Sequence, residues 1–496
     1  MTALGEPIRE VVVAGGGIVG WSAAAALRRR LPWLVVTILP LAPAREALAD
    51  RIPSTLPSIL GFHADLGLRD EDAVIRTGSS FRLGTLFEGW TRGRPGYVHA
   101  YGAHGRSFGT TSFHLHWIRA AIGGGAPAFD IFSAAAAMAR AGRFAMPTDD
   151  ADAILGDYEY GLHIDPEHYL RMIRAFALHA GVKERRGDLA AVSLRENGFV
   201  DGLGLDDGSK LGGDLFIDCT GPAARVRGCL DAAWEDWRQW LPCDRLLTGE
   251  APPTSDPSPL DVATALPFGW RWTAAGSGSV SHGVVYAAAH ASDDEAAGAL
   301  GVAPGGPPTT FASGTRPQAW LRNCVAIGDA ATAIEPLEWC NLHLAHSGID
   351  RLVAMLPDRD CAPVETAEFN RQGAAEAARV RDLLALHYHA ADRPEPLWRE
   401  AASVAPPPTL AHTLTQFRER GRLPVHEEET FARDGWLAVL LGQGVIPRRV
   451  DPLVDAFPPA QSERAMIALR DAIAAAVEAQ PTHGAFLRAM TRQIAR

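Results

Sequence analysis

Residues 9–31 read REVVVAGGGIVGWSAAAALRRRL: a β-branched run, a cluster of glycines, then a long row of good helix formers closed by arginines. That order predicts a buried strand, a tight turn and a helix. Gly15, Gly17 and Gly20 fall in the spacing Gly-x-Gly-x-x-Gly. Glycines so placed permit the turn, the close approach of a pyrophosphate and close helix–strand packing, with the helix N-terminus facing the phosphates. An inherited turn that no longer holds a ligand would leave the same residues. Val11 to Leu27 is also the most membrane-like stretch of the chain, but Gly15, Gly16, Gly17, Gly20 and Ser22 interrupt it, and a strand–turn–helix explains it better than a span.

Working outward, WLVVTILP (33–40) predicts a second buried strand. The fingerprint expects an acid at its end, to hold ribose hydroxyls. Pro40 stands there and offers neither a side-chain acceptor nor an N–H. DPEHYLRMIRAFALHAG (165–181) predicts a helix with Asp165 as N-cap, Pro166 in the first turn and Gly181 at the stop. Its expected apolar face is Tyr169, Met172, Ile173, Phe176 and Ala180. FVDGLGLDDGSKLGGDLFIDCTG (199–221) predicts a hairpin and then a buried strand. NCVAIGDAATAIEPL (323–337) predicts a strand and turn in which Gly328 and Asp329 would aim a carboxylate and backbone N–H groups at a sugar chain and phosphates. An ordinary N-cap is the alternative there. After about Ala345 only helical patterns with proline breaks remain. The expected fold class is α/β: a doubly wound, Rossmann-like module with interleaved substrate-binding segments over 1–345, and a helical C-terminal subdomain over 346–496.

The formal net charge of −11, with no basic stripe, argues against a nucleic-acid partner. None of the six cysteines forms a Cys-x-x-Cys pair, which argues against zinc and against a disulfide framework. The chain opens without a basic segment followed by an apolar one, and a cytoplasmic protein with no membrane partner is expected. Only two lysines occur, Lys183 and Lys210.

Six stretches in order, VVVAGGGIVGWSAA (11–24), FRLGTLFEGW (81–90), DLFIDCTG (214–221), GWRWTAA (269–275), EPLEWCNLHLAHSGI (335–349) and WLAVLLGQGVIP (436–447), resemble the motifs of the flavin-dependent tryptophan halogenases, relatives of the aromatic flavoprotein monooxygenases. The resemblance implies FAD as cofactor, supplied reduced by a separate flavin reductase. It implies that oxygen and reduced FAD oxidise a halide, and that hypohalous acid travels through a tunnel to an aromatic, indole-like substrate. By the same resemblance Gly15, Gly17, Gly20 and Asp329 would bind FAD, and Glu338 would be the assisting glutamate. His99 and Tyr101 would stack on the substrate, an ordinary core pair being the alternative; the C-terminal insertion that supplies the facing tryptophan in the family has no counterpart here, and Trp436 is the candidate substitute.

Four parts depart from the family pattern. Pro40 is one. The halide-binding Thr-Gly becomes Cys340-Asn341, and the tunnel motif ends in Ala274-Ala275 instead of Ile-Pro. The strap over the flavin, Gly-Val-Gly-Glu-Ala-Thr in the family, reads DRIPST (50–55), with Asp50 and Ile52 in place of glycines. Beyond these, Arg82 stands where the family has its catalytic lysine. A buried lysine can lose its proton and act as a nucleophile; an arginine stays charged and offers a fork of donors instead. Lys183, just past a helix stop, and Lys210, in a hairpin turn, do not replace it. The expected function is therefore a flavin-dependent oxidoreductase acting on an aromatic substrate, with halogenation by the lysine route in doubt. A flavin-dependent hydroxylase, or a catalytically silent partner of a true halogenase, are the alternatives.

Overall fold

The computed structural model describes residues 5–150 and 153–494. Strand β1 (Glu10–Ala14) lies inside a sheet whose order is Trp320–Leu321, Cys324–Ala326, Leu215–Asp218, β1, β2 (Val35–Leu39), Lys183–Glu184. All neighbours in it are parallel except the antiparallel edge strand Trp320–Leu321. With a partner on either side, β1 buries Val11 through Ala14, which is why its sequence is continuously apolar and not alternating. Helix α1 (Ile18–Arg30) makes the crossover from β1 to β2. Its residues 18–27 are all buried, against the helices Pro166–His179 and Cys340–Ala354. The small side chains of Ala23 to Ala26 suit that crowding.

The helix at Pro166–His179 starts as expected, with the Asp165 carboxylate accepting from the His168 N–H at 2.9 Å. Its buried stripe is Tyr169, Ile173 and Ala177, a strict four-residue spacing, while Met172, Phe176 and Ala180 are half-buried. The helix meets its neighbours along a narrower seam than its apolar content suggested. The expected hairpin is Val200–Leu205 with Lys210–Leu211, and it is followed by the buried strand Leu215–Asp218.

The second sheet runs Arg245–Ala251, Val280–Tyr286, Gly269–Ala275, Leu260–Leu266, then Gly84–Glu88 and Tyr97–Ala100. The stretch SSFRLGTLFEGW, which alternates like one strand, is two. Strand β3 (Ser80–Arg82) pairs with Gly161–His163, and β4 (Gly84–Glu88) lies between Leu260–Leu266 and β5 (Tyr97–Ala100). The break needs Gly84: its φ is +155°, and a Cβ there would overlap the His99 carbonyl. Both faces of β3 are covered, so Arg82 is buried along with Phe81.

Among the described residues no strand follows Ala333; six helices from Pro363–His389 to His483–Ile494 end the chain. None of its helices is long and apolar enough to cross a membrane, among the described residues. Contacts group the chain into two units, one from the segment ending at Gly78 with Ile164–Arg238 and Thr309–Ala378, the other from Ser79–His163, Gln239–Pro308 and the segment from Arg379 on. The single boundary expected at 345/346 falls instead inside the helix Cys340–Ala354, which belongs wholly to the first unit. That helix packs on α1, a long-range contact that the change of pattern at 345 does not reveal.

Candidate active site

In the first unit the turn after β1 has the shape of a dinucleotide cradle. Gly15 has φ +133°, a value that L side chains rarely adopt, and a Cβ there would overlap the Cys219 carbonyl. A Cβ on Gly20 would overlap the carbonyl of Gly15. The Gly15 N–H donates to Leu39 O at 3.0 Å and the Gly16 N–H to Leu41 O at 2.7 Å, which locks the turn against the end of β2. Gly17 differs: a Cβ there would overlap the carboxylate of Asp50. Asp50 Oδ1 accepts from the Val19 N–H at 2.9 Å, so the first turn of α1 holds an internal carboxylate. Burial pushes the Asp50 carboxyl up to about 6, against the opposing pull of the Val19 N–H, Arg51 and the Ile18 N–H.

Asp329 follows directly. The short turn Gly328–Ala330 sits at the end of strand Cys324–Ala326, with Gly328 at φ +66°. Asp329 Oδ2 accepts from the Ala49 N–H at 2.8 Å, tying it to the residue just before the strap and beside Asp50. Its Oδ1 is buried and has no partner among the described residues. Burial is the main reason its carboxyl is pushed up to about 8, with the nearby Asp50 adding to the rise and Ala49 and Asn341 opposing it. A glycine cradle beside an orphaned buried carboxylate oxygen suits a dinucleotide with a hydroxylated chain. The Asp50 carboxylate, and Pro40 at the place of the ribose acid, stand against that fit.

These carboxyls carry a consequence for pH. A carboxyl raised in the folded state binds its proton more tightly there than in the unfolded chain, so its contribution is complete below about 4 and is lost as pH rises through its folded value. For Asp329 the window runs from about 4 to about 8, starting at the ordinary 3.8. Without cofactor, Asp329→Asn should therefore gain melting temperature relative to the native protein as pH goes from 6 to 9. A difference between the two that does not change with pH would contradict the assignment.

Glu338 is buried and takes φ +62°, and Trp339 after it also takes +62°. Two successive non-glycine residues in the left-handed region cost on the order of 1–3 kcal/mol each and mark a place the surrounding fold holds under constraint. The helix Cys340–Ala354 starts immediately after them. Cys340 is buried, and the Asn341 side-chain amide donates to Ile334 O at 2.7 Å. Asn341, expected from the resemblance at the place of the family's glycine, thus ties the helix start to the preceding loop through its side chain.

In the second unit Arg82 is fully buried, and all three of its nitrogens have partners. Nε pairs with Asp261 Oδ2, Nη1 donates to the Tyr101 hydroxyl, and Nη2 donates to Thr85 Oγ1 at 2.6 Å. Asp261, equally buried, reaches His163 Nε2 through its other oxygen at 2.6 Å. His163 Nδ1 lies 3.1 Å from Ser80 Oγ, which donates to Ala275 O at 3.0 Å. Burial pushes the Asp261 carboxyl up, but Arg82 and His163 outweigh it and hold it below the usual carboxylate range. His163 and Asp261 carry no motif and reach Arg82 only through strand pairing, β4 with Leu260–Leu266 and β3 with Gly161–His163, while Thr85 reaches it from three positions along the chain.

The candidate substrate rings are close together but not parallel. His99 and Tyr101 have centroids 6.4 Å apart and planes at 63°, and both are buried. His99 lies 5.7 Å from the Phe431 ring, and a Cβ on Gly435 would press on its Nε2. Trp436 does not face them: its indole N–H donates to Glu429 at 3.1 Å, and the Arg379 guanidinium sits 4.3 Å over its ring. Helix Arg433–Gly442 turns that side chain toward Arg379 of helix Pro363–His389 and Glu429 of the preceding loop, so it serves packing there. Trp270 and Trp272 are both buried, with centroids 5.8 Å apart.

The tryptophan halogenase family profile matches residues 10–459. Tryptophan 6-halogenase SttH of Streptomyces toxytricini is 26% identical over 98% of this chain and 99% of its own. Among solved structures, BrvH, a flavin-dependent halogenase from Brevundimonas sp. BAL3, is 35% identical with a TM-score of 0.91, covering 97% of this chain and 99% of that one. Xcc4156, a flavin-dependent halogenase from Xanthomonas campestris, is 33% identical with a TM-score of 0.91, covering 98% and 99%. A buried glycine turn, an aspartate beside it and a likeness that runs the length of the chain lead to one conclusion: this protein belongs to the tryptophan halogenase family, whose enzymes are FAD-dependent and take their flavin reduced by a separate reductase.

Proposed function

We propose that this protein uses reduced FAD and oxygen to oxidise an aromatic, indole-like substrate, and that halogen transfer by way of a lysine amine is closed to it. The reading rests on one observation: the side chain in the lysine position is a guanidinium, fully buried and paired with Asp261. When bound, reduced FAD would supply the two electrons that activate oxygen, and oxygen is the oxidant. The turn at Gly15, Gly17 and Gly20 would hold its pyrophosphate, and Asp329 Oδ1 a hydroxyl of its sugar chain. Arg82 acts as a fixed cationic donor. It has no neutral amine to form a nitrogen–halogen bond at neutral pH, and its charge is already balanced by Asp261. Glu338 would act on the oxidant as hydrogen-bond partner. Loss of both the amine and the Thr-Gly pair, with Gly15, Gly17, Gly20 and Asp329 kept, favours oxygen transfer to the ring as the form this oxidation takes.

The test is product analysis. The protein, chemically reduced FAD, oxygen and indole or tryptophan should yield a protein-dependent product heavier than substrate by one oxygen atom. With NADH alone and no added reductase, the pure protein should consume the nucleotide no faster than free FAD does. Flavin demonstrably bound and reduced, with neither hydroxylated nor halogenated product, would mean a silent ligand-binding or partner role instead.

A further inference from the structure

We propose that Asp50 is an internal anion occupying the phosphate position of this protein's own flavin site, so that FAD binds only by displacing it. Three observations place it there. Its Oδ1 accepts from the Val19 N–H at 2.9 Å, one of the free donors in the first turn of α1. Its carboxylate fills the space above Gly17, where a Cβ would overlap it. The neighbouring Ala49 N–H is bonded to Asp329, so the backbone just before the strap and the side chain that opens it both engage the residues expected to hold the cofactor.

The chemistry is competition between like anions for one set of donors. An aligned helix N-terminus stabilises a negative group, whether a diphosphate or a carboxylate. A diphosphate arriving while Asp50 is in place meets a buried negative charge, and Asp329 adds a second carboxyl nearby. A side chain at position 50 can take this part, whereas the glycine found at this place in the family pattern cannot. The arrangement also accounts for the stability of the turn without ligand, because the Val19 N–H does not go unpaired. Asp50 is thereby a determinant of cofactor affinity. The inference rests on the flavin dependence of the family and does not depend on which product the enzyme makes.

It is tested by titrating oxidised FAD into the native protein, Asp50→Gly and Asp50→Asn, by calorimetry and by quenching of flavin fluorescence, with no turnover involved. Asp50→Gly should bind at least tenfold more tightly than native. Asp50→Asn, which keeps an acceptor but loses the charge, should fall between them. In thermal melts without FAD, Asp50→Gly should melt below native, and saturating FAD should raise its melting temperature by more than it raises the native one. Equal affinities for the three folded proteins, or nanomolar binding by the native one, would overturn the role of Asp50 and leave flavin use intact. No FAD binding by any of the three would overturn both. Asp50→Asn, the near-isosteric change, carries the comparison if Asp50→Gly does not fold.

Discussion

Asp261→Ala should destabilise the second unit by about 3–5 kcal/mol, the usual cost of removing one partner of a buried ion pair. Arg82 would be left buried with its Nε uncompensated, and His163 would lose the acceptor 2.6 Å from its Nε2. At roughly 2–4 °C per kcal/mol for a body of this size, the melting temperature should fall by on the order of 10 °C. Arg82→Ala should cost a similar amount, for the mirror reason. The two losses should not add. Arg82→Met with Asp261→Leu removes both charges and should recover much of either single loss, since paired buried charges seldom beat well-packed apolar groups. Chemical denaturation of the four proteins measures this coupling. Additive losses would mean that the pair does not interact as its geometry requires.

A larger change in chemistry should come from a triple replacement. Arg82→Lys alone should not restore halogenation, because Cys340 and Asn341 still stand where the family has Thr-Gly, and Asn341 holds Ile334 O through its side chain. Glycine at that position would free the backbone to approach a halide. A lysine at 82 would meet Asp261, which favours its charged form; the added Asp261→Asn then becomes informative, because it removes the anion and lets the amine lose its proton. Arg82→Lys with Cys340→Thr and Asn341→Gly should brominate indole above the protein-free background, and adding Asp261→Asn should raise the yield further. Mass spectrometry of the products decides. Bromination by Arg82→Lys alone, equal to that of the triple variant, would show that the halide position needs no glycine.

The nucleotide turn was legible because its determinants are local. Three glycines at fixed spacing, a β-branched run before them and helix formers after them leave few alternatives, and Gly15 at φ +133° is where the backbone needs one. The hairpin before Leu215 and the capped helix after Asp165 were legible for the same reason. The surroundings of Arg82 were not. Its counter-ion lies 179 positions away, and β4 pairs in parallel with the strand that carries it, a register no local pattern specifies. SSFRLGTLFEGW alternates as a single half-exposed strand would, but β3 is buried throughout and the kink at Gly84 divides the stretch into two strands. Asp50 was visible only as a lost glycine. Where its carboxylate goes follows from the strap folding back over α1, and that is again a non-local contact. Trp436 had the right type for a substrate ring, but helical phase directs it to Arg379 and Glu429.

The central claim is that the buried Arg82–Asp261 pair closes the lysine route, and single-turnover product analysis tests it most directly. Native protein loaded with photochemically reduced FAD is mixed with oxygen, bromide and either tryptophan or indole, and the products are resolved by mass. The account predicts brominated product no greater than in the protein-free control, while Arg82→Lys combined with Cys340→Thr and Asn341→Gly exceeds it. Stoichiometric or greater formation of bromoindole or bromotryptophan by the native protein would contradict the claim and establish that an ion-paired arginine can serve in the lysine's place.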